Sequence, residues 1–497
     1  VETGSDKFKH LIVNQLGLRH AISQAVALNA PAGTIVLYVA GTASIITSTF
    51  ITHPFGSYAI PLILLLSLVV YALMSYSMYE FSRKLSSAGG YYTFVSRGLG
   101  NSAGFVTALS YITYEILSFT GFGILGFLGF AYAIFPSLGI AIPDPEFLWM
   151  PVAFVFIGLV SLLIYLGIKP SLRFVSYTVF IEVAFLIFTS VALIVMHHTS
   201  VNLEPFTPTP MGNDPYAIFA MMIYAIGAFV GIGGSIPIAE ETKKPKRNVP
   251  LAILVTIAVL GITIILASYA QVVSWGLNRI DLFGSSSDPY PLLTIYHSAF
   301  GPLSIILFWA IIIIVLNSFF TATVSLGTNA TRVIFSMARE GALPSFLSEM
   351  NRNNGTPTMA MIVLTAISIA IVIGVGAGFE FFGHFSPVNA LLTSSVFLLI
   401  LESPITYIVH ILTNTSLYSY MKKRTKMKAK DLFKYLVIPS VSTVTLIAAI
   451  VAGIYFNLFL VDAIYASFAL IAIIIISTLV MRAKFKEKLE YLGDFSL

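Results

Sequence analysis

The 497-residue chain has no cysteine. That excludes disulfides, thiolate metal sites and cysteine nucleophiles. Charge is nearly as scarce: 10% of residues are Asp, Glu, Lys or Arg, against about 25% in an average soluble domain. No Lys or Arg falls in the middle of a long apolar run, and no such run holds a central pair of histidines. A membrane-embedded enzyme needs a convergent acid–base or metal set, and the few scattered carboxylates do not supply one. No loop is long enough to hold a soluble catalytic domain, no cleavable signal peptide is visible, and no cofactor is expected.

What is abundant is apolar sequence, at 57% of residues. Runs of about 20 residues recur along the whole length, each enough to cross about 30 Å of hydrocarbon as a helix. The expectation is an all-α polytopic membrane protein with twelve spans, near 21–50, 58–82, 102–135, 148–168, 172–197, 216–240, 249–275, 302–331, 357–377, 387–417, 433–456 and 459–481. Lys and Arg set the orientation. With these spans every basic residue but Arg279 falls on one side, in groups such as Lys243–Arg247, Lys422–Lys434 and Arg482–Lys488. The even count then puts both termini, 1–20 and 482–497, in the cytoplasm of a cell-membrane protein. The net charge of +5 is therefore a topology signal rather than a nucleic-acid surface. Lys422–Lys434 could also meet anionic lipid. Five of the eight histidines (His53, His197, His198, His297 and His384) fall on the outer side. They are solvated loop residues or sensors of external pH.

Two spans are interrupted. In span 6 the apolar run PYAIFAMMIYAIGAFV meets Gly231-Ile232-Gly233-Gly234-Ser235 and resumes as IPIAEETKKPKRNVP. In span 1, Leu28-Asn29-Ala30-Pro31-Ala32-Gly33 places a proline and a glycine mid-run. Pro31 removes a helix hydrogen bond and clashes with the preceding turn. Unwound backbone survives in lipid only inside protein or beside a water-filled cavity, and transporters hold small solutes at such points. Taken alone, Pro31 fits a simple kink. Its position argues for more. Span 1 opens a block of five (21–197) and span 6 a second block of five (216–417). An odd count gives the blocks opposite orientations, so the breaks are equivalent members of two inverted repeats. Spans 11 and 12 (433–481) are extra C-terminal helices. Free N–H groups at a half-helix start attract a carboxylate, and free carbonyls attract an ammonium, Na⁺ or a proton donor. A zwitterionic amino acid suits both.

Three stretches resemble the amino acid–polyamine–organocation (APC) permeases. Ala239–Pro250, AEETKKPKRNVP, is similar to the AEE-T-x-x-P-x-R-N-x-P signature after the sixth helix. Ser87–Gly100, SAGGYYTFVSRGLG, resembles the element after helix 2, and Thr331–Pro344, TRVIFSMAREGALP, the loop after helix 8. The resemblance implies the leucine-transporter-like five-plus-five inverted-repeat fold and alternating access. By position it implies that Asn29, Ala30, Pro31, Ala32, Gly33 and Thr34 receive a substrate carboxylate. It places Gly231, Ile232, Gly233, Gly234 and Ser235 at the second half of the site, with Phe229 as an aromatic gate or as core packing. The family's usual G-F-E is Gly231-Ile232-Gly233 here, so side-chain recognition must involve other helices.

An ionisable group at mid-membrane is costly and by default functional. Four acids lie in or at the edge of spans: Glu80, Glu115, Glu182 and Glu402, the last near Pro404. Some proton-coupled relatives carry a Lys near the position of Glu182. A protonatable carboxyl there could carry the coupled proton, or be a neutral structural group. Glu115, with Tyr111 beside it, could contact a substrate amine and favour cationic amino acids or polyamines. Ser318 and Thr321, three apart on one face of span 8, are the candidate sodium ligands. The expected function is a secondary active amino acid transporter, a proton-coupled symporter. The alternatives are a sodium-coupled symporter, an exchanger, a polyamine carrier or, from another class, a non-transporting membrane sensor.

Overall fold

A computed structural model describes residues 11–137, 139, 145–285, 290–351, 353–458 and 460–495. Lys7, Lys9 and Arg352, used above for orientation, lie outside them. Among the described residues eleven helical segments are long and apolar enough to cross a membrane. They are α1 (Leu18–Thr49), α2 (Gly56–Ser82), α3 (Asn101–Phe135), α4 (Leu148–Tyr165), α5 (Ile168–Met196), α7 (Pro245–Trp275), α8 (Gly301–Arg339), α9 (Thr358–Phe382), α10 (Pro387–Lys422), α11 (Ala429–Tyr455) and α12 (Val461–Lys484). Between α5 and α7 lies α6 (Pro215–Phe229), apolar but shorter. The only β pairing among the described residues is an isolated bridge, Leu16 to Thr242.

Because most helices are apolar on every side, position in the bundle follows from packing rather than from an amphipathic stripe. α1, α3 and α10 form the interior, with 78%, 83% and 72% of their apolar windows buried. α11 and α12, at 28% and 22%, lie at the periphery.

Two segments depart from the sequence reading. The chain after α6 does not resume as a helix. Residues 230–238 run as consecutive tight turns, with Gly234 N–H to Gly231 O at 2.7 Å, Ile236 to Gly233 at 2.9 Å and Ala239 to Ile236 at 3.1 Å. Three glycines and Pro237 within seven residues remove the drive to propagate a helix. Residues ahead of α1 satisfy part of this backbone: Gln15 and Leu16 N–H donate to Glu241 O, and Lys243 N–H donates to Leu16 O.

The second departure is α8, which continues past 331 to Arg339. Its final turns stay buried because their charges are paired. Arg332 Nε donates to Glu241 Oε2 at 2.7 Å. Arg339 makes a two-pronged contact with Glu240, one prong at 2.8 Å. Glu240 also accepts from Ala88 N–H at 2.6 Å. Tyr92, in the short helix Tyr91–Leu99, donates to Ser336 Oγ and Glu340 Oε2. The chain after α12 closes over this node. Gly493 N–H donates to Glu340 Oε2 at 2.8 Å, Asn101 Nδ2 donates to Leu489 O, and the Arg339 guanidinium lies 3.9 Å from the Phe495 ring centre. Burial pushes the Glu340 carboxyl up to about 7, against the opposing pull of Gly493 N–H, Arg339 and Tyr92.

Arg332 is 1% exposed. Removing one member of a buried pair strands the other charge and costs about 3–5 kcal/mol. Arg332→Ala should therefore unfold at a clearly lower temperature in detergent than Arg247→Ala, a change of charge in an exposed side chain. Equal melting temperatures would show that Glu241 does not depend on Arg332.

Candidate functional site

The first break is a change of backbone hand. The regular helix of α1 stops at Asn29, and Ala30 adopts a left-handed conformation (φ +50°). An L-residue there costs about 1–2 kcal/mol, so the surroundings must hold it. Pro31 then starts a new helical turn at a position where its missing N–H is no loss. The open N–H groups of that turn point at two other helices. Ala32 N–H donates to Glu182 Oε1 of α5 at 2.7 Å, and Gly33 N–H to Ser318 Oγ of α8 at 3.2 Å. Ser318 Oγ donates in turn to Glu182 Oε1 at 2.6 Å. Thr34 N–H closes back on Ala30 O, and Thr34 Oγ1 donates to Asn29 O. A carboxyl thus sits at the positive end of a half-helix, where the backbone dipole favours negative charge. Glu182 is 1% exposed, and its Oε2 has no hydrogen-bond partner among the described residues.

The second break packs directly on the first. α6 ends at Phe229, Val230 is extended, and Gly231 takes φ +117°. A Cβ on Gly231 would lie 2.8 Å from Asn29 N and 3.1 Å from Asn29 Cα. Only glycine permits that approach in that conformation. Asn29 ties the two together: its Nδ2 donates to Ala228 O at 2.6 Å and to Val230 O at 3.0 Å.

Between the breaks lies a cavity of about 20 Å³, the scale of one water molecule rather than a solute. Asn29 and Thr34 line it from the first break, Gly227 and Val230 from the second. Tyr38, Ser118 and Phe122 close it from α1 and α3, and Leu399 and Glu402 from α10. Ser118 Oγ donates to Glu402 Oε2. Among the described residues Glu402 is the one carboxylate on the cavity wall.

The expected site residues distribute unevenly around this centre. Asn29 and Thr34 line the cavity; Ala30, Pro31, Ala32 and Gly33 are buried in the break itself. Phe229 is fully buried off the cavity. Ile232, Gly233, Gly234 and Ser235 are buried beyond it, with Gly234 against Ala25 and the Ser235 hydroxyl without a partner among the described residues. Thr321 Oγ1 donates to Ser318 O, within its own helix. Glu115 and Tyr111 belong to a different cluster. Glu115 neighbours Tyr111 and Asn329, and Gln24 Nε2 donates to Asn329 Oδ1 at 2.9 Å. The Tyr111 ring packs on those of Tyr91 and Tyr114, and Tyr91 on His410. Glu80 pairs with Arg83 at 3.5 Å. Sequence reasoning noted Glu402 but gave it no role. The available signal was its spacing: Leu399 and Glu402 are three apart and so share a helix face.

The amino acid permease family matches residues 34–490 of this chain, and the chain belongs to that family. It is 25% identical over 348 residues to the branched-chain amino acid permease BcaP of Bacillus subtilis, covering 67% of this chain and 70% of that one. It is 26% identical over 227 residues to the vacuolar cationic amino acid transporter 2 of Arabidopsis thaliana, covering 44% of this chain and 33% of that one. Among solved structures it is similar to MhsT in complex with L-phenylalanine, with a TM-score of 0.53 at 15% identity, over 90% of this chain and all of that one. The protein is a multi-pass membrane permease and not an enzyme.

Truncating Asn29 leaves two buried carbonyls unmatched, at about 1–3 kcal/mol each when a partner is removed. Asn29→Ala should lower the thermal stability of the detergent-solubilised protein measurably, and Asn29→Asp, which loses both donated bonds, should do the same. Stability unchanged in both would mean that the two breaks are not held by this side chain.

Proposed function

We propose that the chain is a secondary active amino acid transporter of the cell membrane, working by alternating access and driven by protons. The observation that carries this reading is the pair of opposed helix breaks joined by Asn29, with Glu182 across the open N–H groups of the first. α1–α5 and α6–α10 form the two inverted repeats, α11 and α12 are additions that bring the spans to twelve, and both termini face the cytoplasm. Family membership supports an amino acid as substrate. BcaP is named for branched-chain amino acids and MhsT is bound to L-phenylalanine, which supports an α-amino acid at this point of the fold.

The geometry suggests how a proton and a substrate are coupled. A substrate carboxylate approaching the first break seeks the same half-helix end that Glu182 occupies. Two carboxylates at one site repel, and one of them must be neutralised. A proton on Glu182 weakens its hold on Ala32 N–H and removes the repulsion, so proton and substrate favour each other's binding, as linkage requires. Ser318, one of the two candidate sodium ligands, already donates its hydroxyl to Glu182, which favours the proton over sodium. On the cytoplasmic side the pairs of Arg332 with Glu241 and Arg339 with Glu240 hold the path shut, and they part when the site opens inward.

Gly231→Val and Gly33→Val place side-chain atoms where Asn29 backbone and the Phe319 ring already lie. Both should abolish uptake into proteoliposomes while still inserting in the membrane. Normal transport by either would remove the breaks from the mechanism. Glu182→Gln should lose accumulation driven by an imposed pH gradient yet keep exchange against internal substrate. Unchanged uphill uptake, or dependence on a sodium gradient alone, would overturn proton coupling through Glu182.

A further inference from the structure

We propose that Glu402 is the receptor for a substrate ammonium group, and that it selects solutes bearing an ammonium on an aliphatic arm over neutral amino acids. The proposal rests on the transporter reading above and adds a substrate class to it.

Glu402 is 2% exposed and lines the cavity between the two breaks. Among the described residues it enters none of the ion pairs, and no Lys, Arg or His lines that cavity. Its recorded partner is the Ser118 hydroxyl. A single neutral hydrogen bond does not balance a buried carboxylate; a cation does.

The backbone groups that would otherwise hold an ammonium are already engaged. Asn29 Nδ2 takes Ala228 O and Val230 O, and Thr34 Oγ1 takes Asn29 O. What remains on the cavity wall is acceptor capacity in side chains. Asn29 is 3% exposed, lines the same cavity, and has a buried Oδ1 without a partner among the described residues. An ammonium donates to several acceptors at once, and Glu402 with Asn29 Oδ1 offers them from opposite helices. The rings of Tyr38 and Phe122, whose centroids are 6.2 Å apart, form part of the same wall and present faces that attract a cation.

Charge balance sets the class. With Glu182 neutralised by its proton and facing the substrate carboxylate, a bound zwitterion adds no net charge, and the site keeps the negative charge of Glu402. A second ammonium compensates Glu402. Basic amino acids have this group, and so do aliphatic diamines that lack the carboxylate.

The test is uptake by the full chain in proteoliposomes, with labelled lysine, leucine and cadaverine supplied separately. Wild type should favour lysine or cadaverine over leucine. Cadaverine without lysine would assign the ammonium to an amine carrier, and lysine without cadaverine to a cationic amino acid carrier. Either keeps the proposal. In Glu402→Gln the lysine-to-leucine uptake ratio should fall about tenfold or more, the loss expected for a hydrogen bond to a charged group. Glu402→Asp should restore part of it. A wild type that moves leucine but neither cation would overturn the proposal and leave the transporter reading intact. A wild type that moves no solute would overturn that reading itself. An unchanged ratio in Glu402→Gln would reduce Glu402 to a packing residue held by Ser118. Should Glu402→Gln fail to fold, the wild-type panel decides alone.

Discussion

Backbone polarity in hydrocarbon is the constraint on which this molecule depends. An interrupted membrane helix exposes N–H and C=O groups that lipid cannot satisfy, so each must be met from within the protein. Here the requirement fixes the relative placement of four helices. Glu182 brings α5 to the start of the second half of α1, Ser318 brings α8 there, and Asn29 clamps α1 to the end of α6. Each contact is one or two hydrogen bonds, and each satisfies a group that lipid would leave stranded. The interior is therefore defined less by apolar packing, which lipid would also provide, than by where polar groups find partners.

The same reasoning applies with full charges at the basic end. The three stretches that resemble family motifs lie far apart in the chain yet meet at one place. Glu240 and Glu241 come from the first, Ala88 and Tyr92 from the second, Arg332, Arg339 and Glu340 from the third. Burying such pairs returns little net stability, because desolvation offsets most of the attraction. That balance would suit a contact that forms and parts in the proposed cycle. It holds one arrangement against small displacements without making the alternative unreachable.

Much of this was legible from the chain. Apolar runs located most of the helices to within a few residues, and the breaks at Pro31 and Gly231 were visible because proline and clustered glycine oppose helix directly. Three features were not. The end of α8 was read as a loop because Arg332 and Arg339 look like solvated charges until their partners, about ninety residues earlier in Glu240 and Glu241, are in place. The stretch after Gly231 was read as a resumed helix because its hydropathy is high, although its turns satisfy their own backbone. Glu402 carried no distinguishing motif. Its role depends on α10 presenting one face to the breaks, a tertiary fact that periodicity only hints at. Glu115, by contrast, had a suggestive tyrosine neighbourhood but is not among the residues that line the cavity.

The segment at 485–495 has a consequence of a practical kind. Its backbone and Phe495 rest against Asn101, Glu340 and Arg339, the residues that hold the basic end together. A reporter placed there sits on the paired charges rather than on an inert appendage. In the proposed cycle a fluorophore or spin label near Phe495 reads the opening of that end, and a bulky affinity tag fused at the same point bears on the contacts of Glu340 and Arg339.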